Sequence, residues 1–412
     1  MSSPASEQTH VIVGASLAGA RAAETLRAEG FGGRVVLVGE EAELPYERPP
    51  LSKGYLLGTE ERSTAYLHDA GWYDEQRIEL RLGAPVTSVD RAAHEVEIAG
   101  GERLRYDALL LTTGSVVRRL DVPGADLDGV LYLRRIDDAD RVAAAIGAGG
   151  RIVVVGGGWI GLEVAAAARQ RGAEVTLVEV LDLPLQRVLG DEAARVFADL
   201  HRERGVDLRL GAPAVREIRG DGGRVAEVVL ADGTALPADA VVIGIGIAPA
   251  TALAEAAGLA VKNGVLVDVS LRTSDPDIYA AGDVANAEHP LLGRRVRVEH
   301  WANALNGGPA AARSMLGQAV SYDRIPFFYS DQYDLGMEYA GLALPGEYDR
   351  VVFRGDVAAR EFVAFWLRGD LVLAGMNVNV WDVTDAIQDL VRTARPVDPT
   401  KLADPGVALT DV

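Results

Sequence analysis

Cysteine is absent from the 412 residues. That excludes disulfides, thiolate zinc sites, cysteine-ligated iron–sulfur clusters and dithiol redox chemistry within the chain. Histidine is scarce. His10, His68, His94, His201, His289 and His300 are scattered with no pair at ligand spacing, so no metal centre is expected. Positive charge is also short: 41 Lys+Arg stand against 60 Asp+Glu, a formal net charge of −19. Such a surplus repels phosphate backbones, and no nucleic-acid partner is expected. Long apolar runs are missing too. The longest uncharged stretch, Ala240–Ala254, has 15 residues and contains glycine and proline, too short to cross a bilayer. The first ten residues lack the basic start and apolar run of a secretion signal. The expectation is a cytoplasmic protein without a membrane partner.

Glycine, by contrast, is abundant, with 46 residues. The apolar run Val11–Val13 leads into Gly14-Ala15-Ser16-Leu17-Ala18-Gly19, then a helical pattern from Ala20 to Glu29 and a strand at Arg34–Val38. The same order recurs with Gly156, 142 residues after Gly14. Strand Arg151–Val155 precedes the turn Gly156-Gly157-Gly158-Trp159-Ile160-Gly161, helix Leu162–Arg171 and strand Glu174–Val178. Each copy is a βαβ unit. Further strands are expected at Ala108–Leu111, Ala240–Ile243 and Gly264–Val269, which together indicate an α/β architecture. Beyond about Tyr322 the texture becomes aromatic and mixed, at Phe327-Phe328-Tyr329, Phe362–Leu367 and Leu371–Val380. The fold class expected is therefore α/β, two Rossmann-like dinucleotide-binding domains plus a C-terminal α+β domain. The last dozen residues read as a loose tail.

A strand–glycine turn–helix junction gathers backbone N–H groups and the positive helix end at one point, which suits a pyrophosphate. Glu40 and Glu179, each just past the second strand of its unit, supply a carboxylate for ribose hydroxyls that would repel a 2′-phosphate. Val180, Leu181 and Asp182 follow Glu179, with no arginine to meet such a phosphate, so NAD is favoured over NADP. Ser16 stands where the first copy would carry its middle glycine. Two dinucleotide sites without a thiol or a metal point to electron traffic between two cofactors.

Three short segments resemble the two-dinucleotide flavoprotein reductases: Tyr46-Glu47-Arg48-Pro49-Pro50-Leu51-Ser52-Lys53, Thr112-Thr113-Gly114 and Tyr279-Ala280-Ala281-Gly282-Asp283. Glu299-His300-Trp301 and Ser330-Asp331-Gln332-Tyr333-Asp334 are similar to stretches of one branch, the NADH-dependent ferredoxin reductases of the putidaredoxin reductase type. The likeness runs from about Val11 to Trp381. It implies a discontinuous FAD-binding domain over 1–115 and 249–324, an NAD-binding domain over 116–248, and a C-terminal domain over 325–412. It implies FAD contacts at Gly14, Ala18, Gly19, Glu40, Arg48, Lys53, Val86, Thr113, Gly114, Arg134, Asp283 and Trp301. NAD contacts are implied at Gly156, Gly158, Ile160, Gly161, Glu163, Glu179 and Gly246. Lys53, Glu163 and Trp301 are the implied catalytic set, with Lys53 stabilising charge on the reduced flavin and paired to Glu163. Read without the family, Lys53 is a solvated loop lysine, Glu163 an exposed helix residue, and Trp301 and Tyr329 packing aromatics.

The resemblance further implies hydride delivery from NADH to FAD and onward release of single electrons. Without a cysteine pair, the acceptor is expected to be external: a transient [2Fe–2S] ferredoxin that feeds a cytochrome P450 or a dioxygenase. The alternatives are an NADH-dependent rubredoxin or monodehydroascorbate reductase, and a flavin-bound signalling protein of the apoptosis-inducing-factor type. The bulk charge of −19 opposes an acidic partner, so a local basic surface is expected at Arg294, Arg295, Arg297, Arg313 and Arg324.

Overall fold

A computed structural model of the chain describes residues 7–412; the start of the expected 1–115 segment lies outside the described residues. The chain forms two compact units. One comprises the chain up to Glu47, Arg62–Val116 and Ile247–Pro326; the other comprises Arg48–Glu61, Val117–Gly246 and Phe327–Val412.

The first unit is built on a parallel sheet with the strand order Ile278–Ala280, Ala108–Leu111, Thr9–Val13, Arg34–Val38, Ile78–Arg81. Its three inner strands are near-continuous apolar runs because both faces are covered; Val11, Ile12, Val35, Val36, Leu37, Leu109 and Leu110 are all fully buried. Helix Leu17–Ala28 starts three residues before the expected Ala20, because extended Ser16 already serves as its N-cap. Helix Trp301–Met315 packs on it through glycine: a Cβ on Gly308 would lie 2.1 Å from the Ala18 carbonyl oxygen.

The second unit repeats the parallel plan in the order Asp207–Arg209, Glu174–Val178, Arg151–Val155, Ala240–Ile243, Val130–Leu131. Here, too, the helix begins early, at Trp159, behind an extended Gly158 cap. The C-terminal part is a five-stranded antiparallel sheet, ordered Phe327–Gln332, Leu335–Gly341, Leu371–Val378, Glu361–Arg368, Arg350–Asp356. Buried Trp366, Phe362, Met337 and Met376 join one apolar cluster with Leu162, Leu177 and Phe197. Segment Arg48–Glu61 is pinned to this unit at several points. Leu56 enters the same cluster, the Leu56 carbonyl accepts from Arg171 Nη1 at 3.0 Å, and the Tyr55 hydroxyl donates to Asp140.

The expected loose tail is corrected. Arg354 donates to the carbonyls of Asp404 at 2.7 Å and Val407 at 2.6 Å. Arg395 donates to the Val412 carbonyl, and Leu402, Leu409 and Val412 are buried. Composition signalled a tail, but Arg354, 50 positions before Asp404, and the nearer Arg395 supply its missing hydrogen-bond donors.

Gly308→Ala tests the helix contact. In an exposed helix the change would stabilise by about 1 kcal/mol. Against the Ala18 carbonyl it is expected to destabilise by about 1–3 kcal/mol, read as a lower thermal midpoint.

Candidate functional site

The two nucleotide turns are near-copies in geometry. Gly156 has φ +107°, and a Cβ there would lie 2.4 Å from the Gly244 carbonyl oxygen. Gly14, at φ +119°, stands in the same relation to Thr112 at 2.1 Å. Gly19 and Gly161 let their helices cross the turn, since a Cβ on either would meet the carbonyl oxygen of Gly14 or Gly156 at 2.0 Å. Neither Ser16 nor Gly158 caps its helix with a side chain, so the first-turn N–H groups face outward from the turn. A Cβ on Gly158 would meet no heavy atom within 4 Å, which leaves the backbone open to close approach by a phosphate. Ile160, at the start of that helix, is 43% exposed. Glu179 is held by its own turn: its carboxylate accepts the Gly157 N–H at 2.6 Å and the Leu181 N–H at 2.9 Å. The donor set and the glycine cradles fit a dinucleotide phosphate in each unit.

The second unit also contains a buried ion pair. Pro49–Ser52 forms a single 3-10 turn with proline at its start, which delivers Lys53 to helix Trp159–Gln170. Lys53 Nζ lies 2.7 Å from Glu163 Oε1. The Glu163 side chain is only 3% exposed, which overturns its reading as a surface helix residue. Ser52 Oγ donates to the other carboxylate oxygen, and Ser330 Oγ donates to Oε1 at 2.7 Å. The Tyr329 ring centroid is 5.3 Å from Lys53 Nζ, a cation–π contact rather than plain packing. These groups border a cleft of about 300 Å³ that also includes Asp331 and Tyr333. Burial raises the Asp331 carboxyl above its usual range, opposed by Lys53 and reinforced by Glu163.

Several expected residues sit in the first unit. Thr113 Oγ1 donates to the Ala250 carbonyl at 2.9 Å, and the Ala250 N–H returns a bond to Gly114 at 2.9 Å, tying the expected turn shut. Asp283 accepts from Ser115 Oγ at 3.2 Å. Trp301 is half-buried, not a core aromatic; its Nε1–H donates to Glu47 at 3.1 Å. Burial raises the Glu47 carboxyl, and this hydrogen bond works against the rise. Ala18 is buried at the helix start, Glu40 is exposed, and Val86 opens a separate antiparallel strand, Val86–Asp90. In the second unit Arg48 donates to the Arg134 carbonyl, and Gly246, at φ +97°, accepts from the Arg118 N–H at 2.9 Å.

The arginines of the expected basic surface have acidic neighbours. Arg295 pairs with Glu288 at 2.6 Å, Arg297 with Glu299 at 2.7 Å and Arg313 with Glu29 at 2.8 Å. Three of the five arginines are thus neutralised within their own unit. Glu29 and Glu288 lie outside the sequence window that made the stretch look basic.

Sequence reading missed Ser52, Ser330, Gln332 and His201 as site residues. Ser52 and Ser330 were visible only as members of larger motifs. His201 had no sequence neighbour to betray it, because its partner lies 131 positions away.

Two parallel-sheet units, each with a phosphate-competent turn, match the plan of the two-dinucleotide oxidoreductases. The chain belongs to the pyridine nucleotide-disulphide oxidoreductase family, whose profile matches residues 8–308, and a reductase C-terminal profile matches 327–412. It is 43% identical to the anthranilate 1,2-dioxygenase system ferredoxin–NAD(+) reductase component of Burkholderia cepacia, covering 97% of this chain and 98% of that one. It is 39% identical to putidaredoxin reductase of Pseudomonas putida over 98% of this chain and 96% of the relative. The reductase in the crystal structure of the covalent putidaredoxin reductase–putidaredoxin complex superposes with a TM-score of 0.94, at 38% identity, covering 98% and 97% of the two chains. Among the described residues, no helix is long and apolar enough to cross a membrane.

Two predictions follow from the buried groups. Lys53→Met leaves Glu163 as an uncompensated buried charge and is expected to cost about 3–5 kcal/mol in denaturant unfolding. The double variant Lys53→Met with Glu163→Leu should recover most of that loss. Burial also lowers the His10 and His201 imidazoles from 6.5 to about 4. The unfolded chain therefore binds more protons between those pH values, and stability is fully present above pH 6.5 and falls as pH drops towards 4. Each histidine contributes up to about 1.4 kcal/mol per pH unit in that window. His201→Gln should flatten the dependence, and an unchanged slope would contradict the assignment.

Proposed function

We propose that this protein is an FAD-dependent NADH:ferredoxin reductase that passes electrons from NADH to a [2Fe–2S] ferredoxin serving a cytochrome P450 or a dioxygenase. The observation that carries the reading is a pyridine nucleotide-disulphide oxidoreductase plan in 412 residues without cysteine. No internal disulfide is available to take the electrons, so an external carrier must. End-to-end identity to reductase components of oxygenase systems supports a ferredoxin as that carrier.

The domain assignment proposed is FAD at 1–115 and 249–324, NAD at 116–248, and a C-terminal domain from 325. The Gly14 turn is assigned to the FAD pyrophosphate and the Gly156 turn to that of NAD. Glu40 and Glu179 take the ribose hydroxyls. Arg48, Thr113, Gly114, Asp283 and Trp301 complete the flavin contacts, with Val86 and Arg134 at their margin; Ile160 and Gly246 do so for NAD.

The chemistry that FAD would supply when bound is acceptance of a hydride from NADH and release of single electrons. The chain's own part is electrostatic and positional. Lys53 presents a fixed ammonium, and Glu163 holds it in place with its charge compensated. The stiff Pro49–Ser52 turn limits the freedom of both. Glu179, already oriented by two backbone N–H groups, discriminates against a 2′-phosphate by charge.

Anaerobic titration of the FAD-loaded protein is expected to bleach the flavin absorption with NADH well before NADPH. Glu179→Ala is expected to raise KM for NADH by about tenfold, the worth of one charged hydrogen bond, while narrowing the preference over NADPH. Protein that takes up no FAD would overturn the reading.

A further inference from the structure

Glu163 is the end of a longer buried chain. Strand period places Ser330 and Gln332 on one face of Phe327–Gln332. Gln332 Nε2 lies 3.1 Å from Ser330 Oγ, and Gln332 Oε1 lies 2.9 Å from His201 Nε2. The Tyr333 hydroxyl lies 3.5 Å from His201 Nδ1. Ser330, Gln332 and His201 are all at most 1% exposed, so water does not supply alternative partners.

The direction of every proton in this chain is determined from one end. The Lys53 ammonium has only donors, so the Glu163 oxygen it meets accepts. Ser330 has one hydroxyl proton and gives it to Glu163. Towards Gln332 it can then only accept, so the amide nitrogen faces it. That leaves Gln332 Oε1 towards His201, which must carry its proton on Nε2. Nδ1 is then bare and accepts from Tyr333. We propose that Ser330, Gln332, His201 and Tyr333 are positioning residues acting through Glu163: a one-directional hydrogen-bond chain that holds its carboxylate, and so the Lys53 ammonium, in place. All four donors point their positive ends towards the buried charge, and aligned bonds of this kind reinforce one another. The consequence for electron transfer rests on the proposed reading of Lys53 as a flavin neighbour.

The test uses the FAD-loaded protein with ¹⁵N-labelled histidine. The His201 signal, assigned by its loss in His201→Gln, is expected to be that of the neutral Nε2–H tautomer. A Nδ1–H tautomer or an imidazolium at pH 7 overturns the chain. Glu163→Gln places an amide that can donate to Ser330, which lets the chain run either way. Ser330→Ala removes the hydroxyl link outright. Both are expected to give mixed His201 tautomers, and an unchanged signal in both overturns control by Glu163. In rapid mixing with NADH, Ser330→Ala is expected to slow flavin bleaching by about tenfold, one lost charged hydrogen bond. KM should change little, and Ser330→Thr should restore the rate. Mixed tautomers beside an unchanged bleaching rate overturn the link through Lys53 to electron transfer, while the chain itself stands.

Discussion

A single buried charge organises the second unit. Glu163 sits in the middle of a helix at 3% exposure, where an unpaired carboxylate would cost several kcal/mol. The fold meets that cost with three donors from two distant sequence regions: Lys53 and Ser52 from the proline turn, and Ser330 from the edge strand of the antiparallel sheet. The consequence is structural as well as chemical. Segment Arg48–Glu61, helix Trp159–Gln170 and strand Phe327–Gln332 must keep their mutual positions, because displacement of any one strands a charge in apolar surroundings.

The nucleotide turns work on the opposite principle. They depend on backbone alone, and their requirement is steric. Gly14 and Gly156 adopt positive φ with no room for a Cβ, and Gly19 and Gly161 allow the helix to pass over the turn. Such demands are met by residue type at fixed spacing, whatever lies elsewhere in the chain. Charge placement at Glu163 is met only by long-range contact. The backbone cradles leave room for a phosphate in each unit, while the ion pair and its hydroxyl donors set the local electrostatics of the second.

This difference explains what could be read in advance. The two βαβ repeats and their strands were legible because local spacing encodes them, and the proline-turn motif because it resembles a family segment. Lys53 and Glu163 were legible as a pair only through family likeness; read without it, Glu163 was an ordinary exposed helix residue. The helix starts moved because Ser16 and Gly158 act as caps without a side-chain bond, which no apolar pattern reports. In the arginine-rich stretch, Glu288 and Glu29 pair with Arg295 and Arg313 from outside the window, which sequence alone does not report. The tail misled for a similar reason, its carbonyls being claimed by Arg354 and Arg395.

The sequence by itself determined the α/β plan, the repeated phosphate-competent turns and the lack of any thiol chemistry. Those follow from residue identity and short-range sterics, which do not wait for the fold. Only the tertiary structure decided that Ser330, Gln332 and His201 belong to the same hydrogen-bond chain as Glu163, and that Trp301 is tied to Glu47 rather than buried in the core. Hydrogen-bond partners are chosen by distance and by the exclusion of water. Both are properties of the packed interior, which brings together positions far apart in the chain.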